Sequence, residues 1–284
     1  MKTYLDCMPC YVRQALDAAR LATDDKAIHE KVLREILSRT AAMDMETSTV
    51  AMGQQIHRVV RELTGRKDPY RALKDKFNAL ALELMPELTQ RVEQSDNPLE
   101  TAVRLAIAGN IIDFGVNSEI DESHMHESIE FALHVPLNGD IDELSEAINK
   151  AESILYLADN TGEIVFDRLL VEQLPQGRVT VAVRGRPVIN DATMHDAEIA
   201  GLTDIVEVID NGDDAPGTIL HSCSDSFQER FESASLIIAK GQGNYESLID
   251  ISKNIAFLLR AKCSVIADNT GCELGSFILR RNSM

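Results

Sequence analysis

Three things are scarce in this sequence: positive charge, cysteines in a pattern that would cross-link it, and long apolar runs. Lys and Arg number 28 against 46 Asp and Glu, a net charge of -18. A surface of that sign repels the phosphate backbone that a nonspecific nucleic-acid binder must neutralise, so DNA or RNA is not an expected partner. The five cysteines include one close pair, Cys7 and Cys10, which is not the disulfide framework of a secreted domain and fits a reducing compartment. No apolar stretch approaches the roughly 18 residues of a membrane span. The start, Met1-Lys2-Thr3-Tyr4-Leu5-Asp6-Cys7, lacks the hydrophobic block of a secretory signal. A soluble, cytoplasmic protein without a membrane partner is expected, and nothing in the sequence fixes an oligomeric state.

What is present divides near residue 150. From Pro9 to about Lys150 apolar residues recur at helical spacing, as in Val12, Ala15, Leu16 and Ala19 or Ile28, Val32, Leu33, Ile36 and Leu37. Caps and breakers separate six or seven helices, and no strand-like run interrupts them. From Ala151 onward β-branched runs alternate with helical patterns: Ile154 to Leu157, Val179 to Val183, Ile205 to Ile209, Leu236 to Ile238 and Ser264 to Ala267. Such alternation implies an α/β fold with a mostly parallel, doubly wound sheet. The tail from Gly275 to Arg280 reads as a final strand, an antiparallel edge. Two domains are expected, a helical one over 1–150 and an α/β one over 151–284.

Three polar clusters stand where strands give out: Ala158-Asp159-Asn160-Thr161-Gly162-Glu163, Arg184-Gly185-Arg186-Pro187-Val188-Ile189-Asn190-Asp191, and Lys240-Gly241-Gln242-Gly243-Asn244-Tyr245-Glu246. In one sheet, loops beyond the carboxyl ends converge on a crevice where such sheets bind ligands. Asp159, Asn160 and Asp191 offer the all-oxygen donor set that hard divalent cations prefer. A metal-activated water could then attack phosphorus while the ion neutralises the phosphoryl oxygens. The competing reading is that these residues are strand-end turns and N-caps. Gly241 and Gly243 would let backbone N–H groups face an anion at a helix start, with Lys240 adding charge; a plain glycine turn is the alternative. The spacing of a P-loop is absent, so triphosphate hydrolysis is not indicated.

Other residues carry two readings. Asn110 and Asp113 share one face of an apolar helix, where a ligand, a bound water or neighbouring backbone must satisfy them. Glu163 is a base, an acceptor behind the metal site, or a helix-start carboxylate favoured by the macrodipole. His124 and His126 point to different sides of a helix, and His195 reads as a surface or cap residue. Cys7 and Cys10 are zinc ligands, a redox pair or two buried small residues. The words Ala158-Asp159-Asn160-Thr161-Gly162 recur as Ala267-Asp268-Asn269-Thr270-Gly271, a repeat explained by strand-exit turn chemistry or by a second functional copy.

Together, Cys7-x-x-Cys10, Asp68-Pro69-Tyr70, Gly109-Asn110-x-x-Asp113, the three clusters and their order along the chain resemble the DUF89 family of metal-dependent damage-control phosphatases (ARMT1-like), in its compact prokaryotic branch. The resemblance implies a Rossmann-like α/β domain carrying an N-terminal multihelical domain, and hydrolysis of phosphate monoesters of small metabolites with Mn²⁺, Ni²⁺, Co²⁺ or Mg²⁺. It implies Asp159, Asn160 and Asp191 as metal ligands and Lys240 on the phosphate. Asn110, Asp113, Glu163, Arg184, Gly241, Gly243 and Asn244 would face the substrate. Gly243-Asn244-Tyr245-Glu246 matches a Gly-Asn-Phe-Glu motif of that branch, with Tyr245 in the Phe position. Damaged or misplaced phosphometabolites, nucleotides or sugar phosphates among them, are the implied substrates. Two rival readings are an S-adenosylmethionine-dependent methyltransferase, for which no Gly-x-Gly follows the first strand, and a phosphometabolite-binding protein without turnover.

Overall fold

Helices begin where the sequence places caps. In this computed structural model, which describes residues 1–109 and 122–282, Asp25 accepts from the Ala27 amide and Ser48 from the Ala51 amide. These caps satisfy N–H groups that the first helical turn leaves without partners. The first helices are α1 (Cys7–Ala22), α2 (Lys26–Ala42) and α3 (Thr49–Thr64). Ala15, Ala18 and Ala19 of α1 let it pack closely on Val32 and Ile36 of α2 and on Met52, Ile56 and Val60 of α3, forming a core of their own. Next come α4 (Arg71–Glu93), α5 (Pro98–Ala108), α6 (Glu122–His134) and α7 (Ile141–Lys150). Seven helices thus precede residue 151 among the described residues. Packing does not stop at the expected boundary, because Leu84 and Leu88 of α4 and Val103 and Ile107 of α5 share one core with the sheet.

Seven strands form a single sheet in the order β1-β7-β6-β5-β2-β3-β4. They are β1 (Leu137–Asn138), β2 (Ile154–Leu157), β3 (Val179–Val183), β4 (Glu207–Asp210), β5 (Leu236–Lys240), β6 (Ile255–Arg260) and β7 (Phe277–Asn282). All neighbours are parallel except β6 and β7. Every residue of β2, β3 and β5 is buried, as unbroken apolar runs covered on both faces should be. Alternation then divides the side chains: Ile154, Tyr156, Leu236 and Ile238 enter the core under α4, α5 and α8 (Glu163–Glu172). Leu155, Leu157, Ile237 and Ala239 enter the opposite core with α10 (Asp225–Ser233), α11 (Gly241–Leu248) and α12 (Ser264–Thr270).

The order of the strands fixes where a crevice can open. From β2 the chain steps outward to β3 and β4, then returns to β5 on the other side of β2. The helices after β2 and β5 consequently leave toward opposite faces, which opens a crevice at the carboxyl ends of these two strands. Among the described residues, no helix is long and apolar enough to cross a membrane.

Four sequence expectations are corrected. Ser264 to Ala267 is the start of α12, and the strand of this region is Ile255–Arg260; a short run such as Val265-Ile266 cannot distinguish strand from buried helix. The final strand is antiparallel as expected, yet β1 pairs on its far side, so β7 is not an edge. That two-residue strand also lies within the half read as free of strands. The repeated Ala-Asp-Asn-Thr-Gly words part company too: the first follows β2, while the second closes α12, where Gly271 takes φ 72 at the cap.

One buried group in the helical half gives the fold a pH signature. His57 of α3 is 2% exposed, its Nε2 has no hydrogen-bond partner, and its ring meets Tyr70 edge-on at 5.9 Å. Burial, aided by the nearby Arg61 charge, lowers its pKa from 6.5 to about 3. Between those values the unfolded chain binds a proton that the native one does not, so stability present at pH 7 is lost as pH falls. We expect His57 to remove roughly 2 kcal/mol between pH 7 and pH 5. His57→Phe should flatten that part of the urea-unfolding profile; equal slopes in the two proteins would refute the assignment.

Candidate active site

The crevice is built first by backbone. Beyond β2 the chain stays buried through Ala158, Asp159 and Asn160, then turns at Gly162 with φ 79. The loop after β3 folds back so that Asn160 bridges Asp191 and Arg184 bridges Thr193. The Thr161 amide donates to the Asn190 carbonyl at 2.8 Å, and the Ala192 amide to the Asp159 carbonyl at 2.8 Å. This clamp sets Asp159, Asn160 and Asp191 side by side without calling on their side chains. All three are at most 8% exposed.

Arg184 ties the two loops together. Its Nε donates to Asp191 Oδ2 at 2.7 Å, and its guanidinium lies 3.7 Å from Asp159 Oδ1. The remaining N–H groups reach Thr218 Oγ1 at 3.4 Å and Asn244 Oδ1 at 3.3 Å. Asn244 is wholly buried and also donates to the Lys240 carbonyl at 2.8 Å. Arg184 and Asn244 are therefore framework rather than exposed substrate contacts.

Lys240 occupies a different position from the one its sequence context suggests. It is fully buried, and its ammonium donates to the Ala106 carbonyl at 2.7 Å, to Glu163 Oε1 at 2.7 Å and to Asp167 Oδ1. Three N–H donors thus meet three acceptors inside the protein. The other oxygen of Glu163 accepts from Asn160 Nδ2 at 3.0 Å, and Asn160 Nδ2 also donates to Asp159 Oδ2 at 2.8 Å. With the amide oriented by these bonds, a relay runs from Lys240 through Glu163 and Asn160 to Asp159.

Gly241 is required by a close contact. A Cβ there would fall 1.8 Å from Asp159 Oδ2, and its φ is 77. The glycine admits the carboxylate at the crossing of the two loops. At Gly243 a Cβ would fall 2.1 Å from the Pro216 carbonyl, so this glycine serves loop packing. Tyr245 is buried edge-on against Phe257 at 5.2 Å and donates to Asn269 Oδ1 at 2.6 Å. Glu246 accepts from Thr49 and, at 2.6 Å, from Gln242. The motif of residues 243–246 is thus structural in its visible contacts.

The electrostatics of the cluster are unbalanced. Asp159, Glu163, Asp167 and Asp191 face three internal cations: Arg184, Lys240 and the fully buried Lys74, whose charge acts on Asp191 and is shared with Asp68 and Asp196. Burial, then the neighbouring Glu163 and Asp191 carboxylates, push the Asp159 pKa well above the usual carboxylate range, against the pull of Arg184 and Lys262. Burial likewise raises Asp191, with Arg184 opposing. It raises Asp167 to about 7 despite Lys240. Among the described residues no three His, Cys, Asp or Glu side chains form a ready metal ligand set. The donors that fit a hard cation are two carboxylates and an amide, and the excess negative charge suits a divalent ion.

Several contributors carry little signal in the sequence. Asp167 interrupts the apolar run Ile164-Val165-Phe166 four residues after Glu163, a spacing that puts both acids on one helical face and could have marked it. Asn78 of α4 accepts from the Gly162 amide at 2.9 Å and donates to Asp196 at 3.0 Å. Asp196 in turn caps α9 (Met194–Ile199) through Thr193. Lys262, exposed just beyond β6, acts electrostatically on Asp159. Asn110 and Asp113 lie outside the described residues, as do the side chains of His124 and His126; Gly109 packs against Glu163, where a Cβ would fall 2.9 Å from its Cα. His195 is at the surface, 3.8 Å from Asp75. Cys7 and Cys10 are free thiols, half-buried and exposed, whose pKa values are raised chiefly by burial, with Cys263 and Glu246 nearby.

Known proteins of the same construction extend this picture. A family model described as the damage-control phosphatase ARMT1-like domain matches residues 3–278. A protein of Methanocaldococcus jannaschii is 38% identical, covering 96% of this chain and 93% of its own length. A damage-control phosphatase of Archaeoglobus fulgidus is 35% identical over 96% of this chain and 97% of its own. The crystal structure of a DUF89 family protein from Pyrococcus horikoshii superposes with a TM-score of 0.90 at 32% identity, covering all of both chains. With matches of this extent in both sequence and structure, the chain belongs to the damage-control phosphatase ARMT1-like (DUF89) family.

Proposed function

We propose that this protein is a phosphatase that hydrolyses phosphate monoesters of small metabolites with the aid of a divalent cation. The carrying observation is the clamp that brings Asp159, Asn160 and Asp191 together at the strand crossover with more carboxylate than internal cation. Relatives named damage-control phosphatases support the reaction class. Mn²⁺, Ni²⁺, Co²⁺ and Mg²⁺ all suit an oxygen donor set. When bound, such an ion polarises a phosphoryl oxygen and makes a water a better nucleophile at neutral pH.

The chain's own residues then have distinct tasks. Asp159, Asn160 and Asp191 would hold the ion. Arg184 orients Asp191, and Glu163 orients Asn160. Lys240 is a positioning residue: it fixes Glu163 and Asp167 from within, and the exposed Lys262, whose charge acts on Asp159, would contact the substrate. Burial and the neighbouring carboxylates raise the proton affinity of Asp159, so a cation bound there would compete with a proton. The reaction class favours a cytoplasmic phosphorylated metabolite as substrate, damaged nucleotides and sugar phosphates included.

Asp191→Ala should lower metal-dependent hydrolysis of a generic aryl phosphate by at least about 100-fold, the upper range for losing even a partner of a metal ligand. Wild-type protein inactive across a panel of divalent metals and phosphometabolites would sink the phosphatase reading. For Lys262→Met the expectation is a KM raised about tenfold, as for one lost charged contact, with kcat changed less. An unchanged KM would remove Lys262 from the substrate side. Gly241→Ala should abolish metal binding, measured calorimetrically, because the added methyl displaces the Asp159 carboxylate. Its control is Gly271→Ala, where no atom lies within 4 Å of the new Cβ and the backbone penalty of about 1 kcal/mol leaves the site alone.

A further inference from the structure

A second feature, of opposite sign, is lined in part by the loop that carries Asp191. Arg61, Arg66, Lys67 and Arg186 line a hollow of about 420 Å³ together with Gly65 and Pro187. Such a volume falls within the roughly 300–1,000 Å³ of small-ligand sites. Arg66, Lys67 and Arg186 are exposed, and among the described residues they form no ion pair. In a chain of net charge -18, three neighbouring cations beside a single acid, Glu62, are a local inversion of the field.

The hollow is also held open. Gly65 ends α3 at φ 68, and nothing lies within 4 Å of where its Cβ would be. Arg61 is already engaged by Asp214 and by the Pro187 carbonyl at 2.9 Å, so it fixes the wall rather than offering a free fork. Opposing charge is modest: the exposed Glu62 lines the same hollow, and the carboxyl end of α3 contributes about half a negative charge. Three full positive charges outweigh these.

We propose that Arg66, Lys67 and Arg186 form a binding site for a phosphate-type dianion, separate from the carboxylate cluster. Planar guanidinium forks from two directions and one ammonium suit a tetrahedral oxyanion. The site joins the cluster through covalent chain. Arg186 and Pro187 lie between Arg184 and Asp191, and Ile189 beyond them is held at φ 43, a conformation costly for a β-branched residue. An anion drawing Arg186 toward residues 66 and 67 would brace the turn on which Asp191 depends. The ligand is either the second phosphoryl group of a bisphosphorylated substrate or a free phosphate-type effector; only that assignment rests on the phosphatase reading.

Titration of metal-free protein with inorganic phosphate, followed by calorimetry, tests the site without requiring turnover. Wild type should bind saturably and more weakly as NaCl is raised. The triple variant Arg66→Ala/Lys67→Ala/Arg186→Ala should bind at least about tenfold more weakly with an unchanged unfolding temperature. Should the triple variant fold poorly, Lys67→Ala alone should still weaken binding measurably. Absence of saturable binding, or equal binding in wild type and a folded variant, would overturn the proposal. Kinetics then separate the sources. A KM raised in the triple variant for a bisphosphate but not for a monophosphate identifies a substrate group, whereas phosphate-dependent rates lost equally for both identify an effector.

Discussion

The buried ion-pair set of Lys240 with Glu163 and Asp167 is the interaction on which this architecture turns. An ammonium taken wholly out of water is costly, and the cost is offset only when every proton has an acceptor. Here the acceptors come from two helices, since Ala106 belongs to α5 and Glu163 and Asp167 to α8, while the lysine itself ends β5. Removing one partner from such a set typically costs about 3–5 kcal/mol, because the remaining charge is left buried and alone. The set therefore fastens a helix of the N-terminal half to the sheet at the same point where it aims Glu163 at Asn160.

From that anchor the rest of the crevice is reached by short steps. The crossover of strands brings the loops after β2 and β5 together, Gly241 lets them touch, and the bridge between Asn160 and Asp191 adds the third strand's loop. Backbone sets positions, while side chains set charge. Asp159 and Asp191 are held close although burial and neighbouring carboxylates raise their proton affinity, a strained electrostatic state of the kind that marks functional rather than merely stable sites.

Much of this is legible in the sequence where local chemistry decides. The runs at β2, β3 and β5 are continuous and apolar, and the polar words after them read as one crevice. What the sequence hides depends on parity and on contacts distant in the chain. Lys240 continues the face of Leu236 and Ile238, so the two-residue period of a strand sends its side chain under α8 rather than into the crevice. A strand-end lysine beside glycines suggests a phosphate contact until that parity is counted. The run Ile255 to Leu259 is as continuous and apolar as that of β2, so its strand is legible by the same rule; period alone does not separate such a run from the buried helix that carries Val265 and Ile266. Lys262 has no distinctive neighbours in sequence, and only the geometry of β6 brings its charge to Asp159.

Arg184 carries an implication of a different sort. One guanidinium meets Asp191, Asp159, Thr218 and Asn244, which reside on four separate stretches of chain. Exchange of any one of these residues alters the company kept by the other three. Over evolutionary time such a collar should drift by compensated, simultaneous replacements, so that in divergent copies these positions would vary as a group or stay as they are.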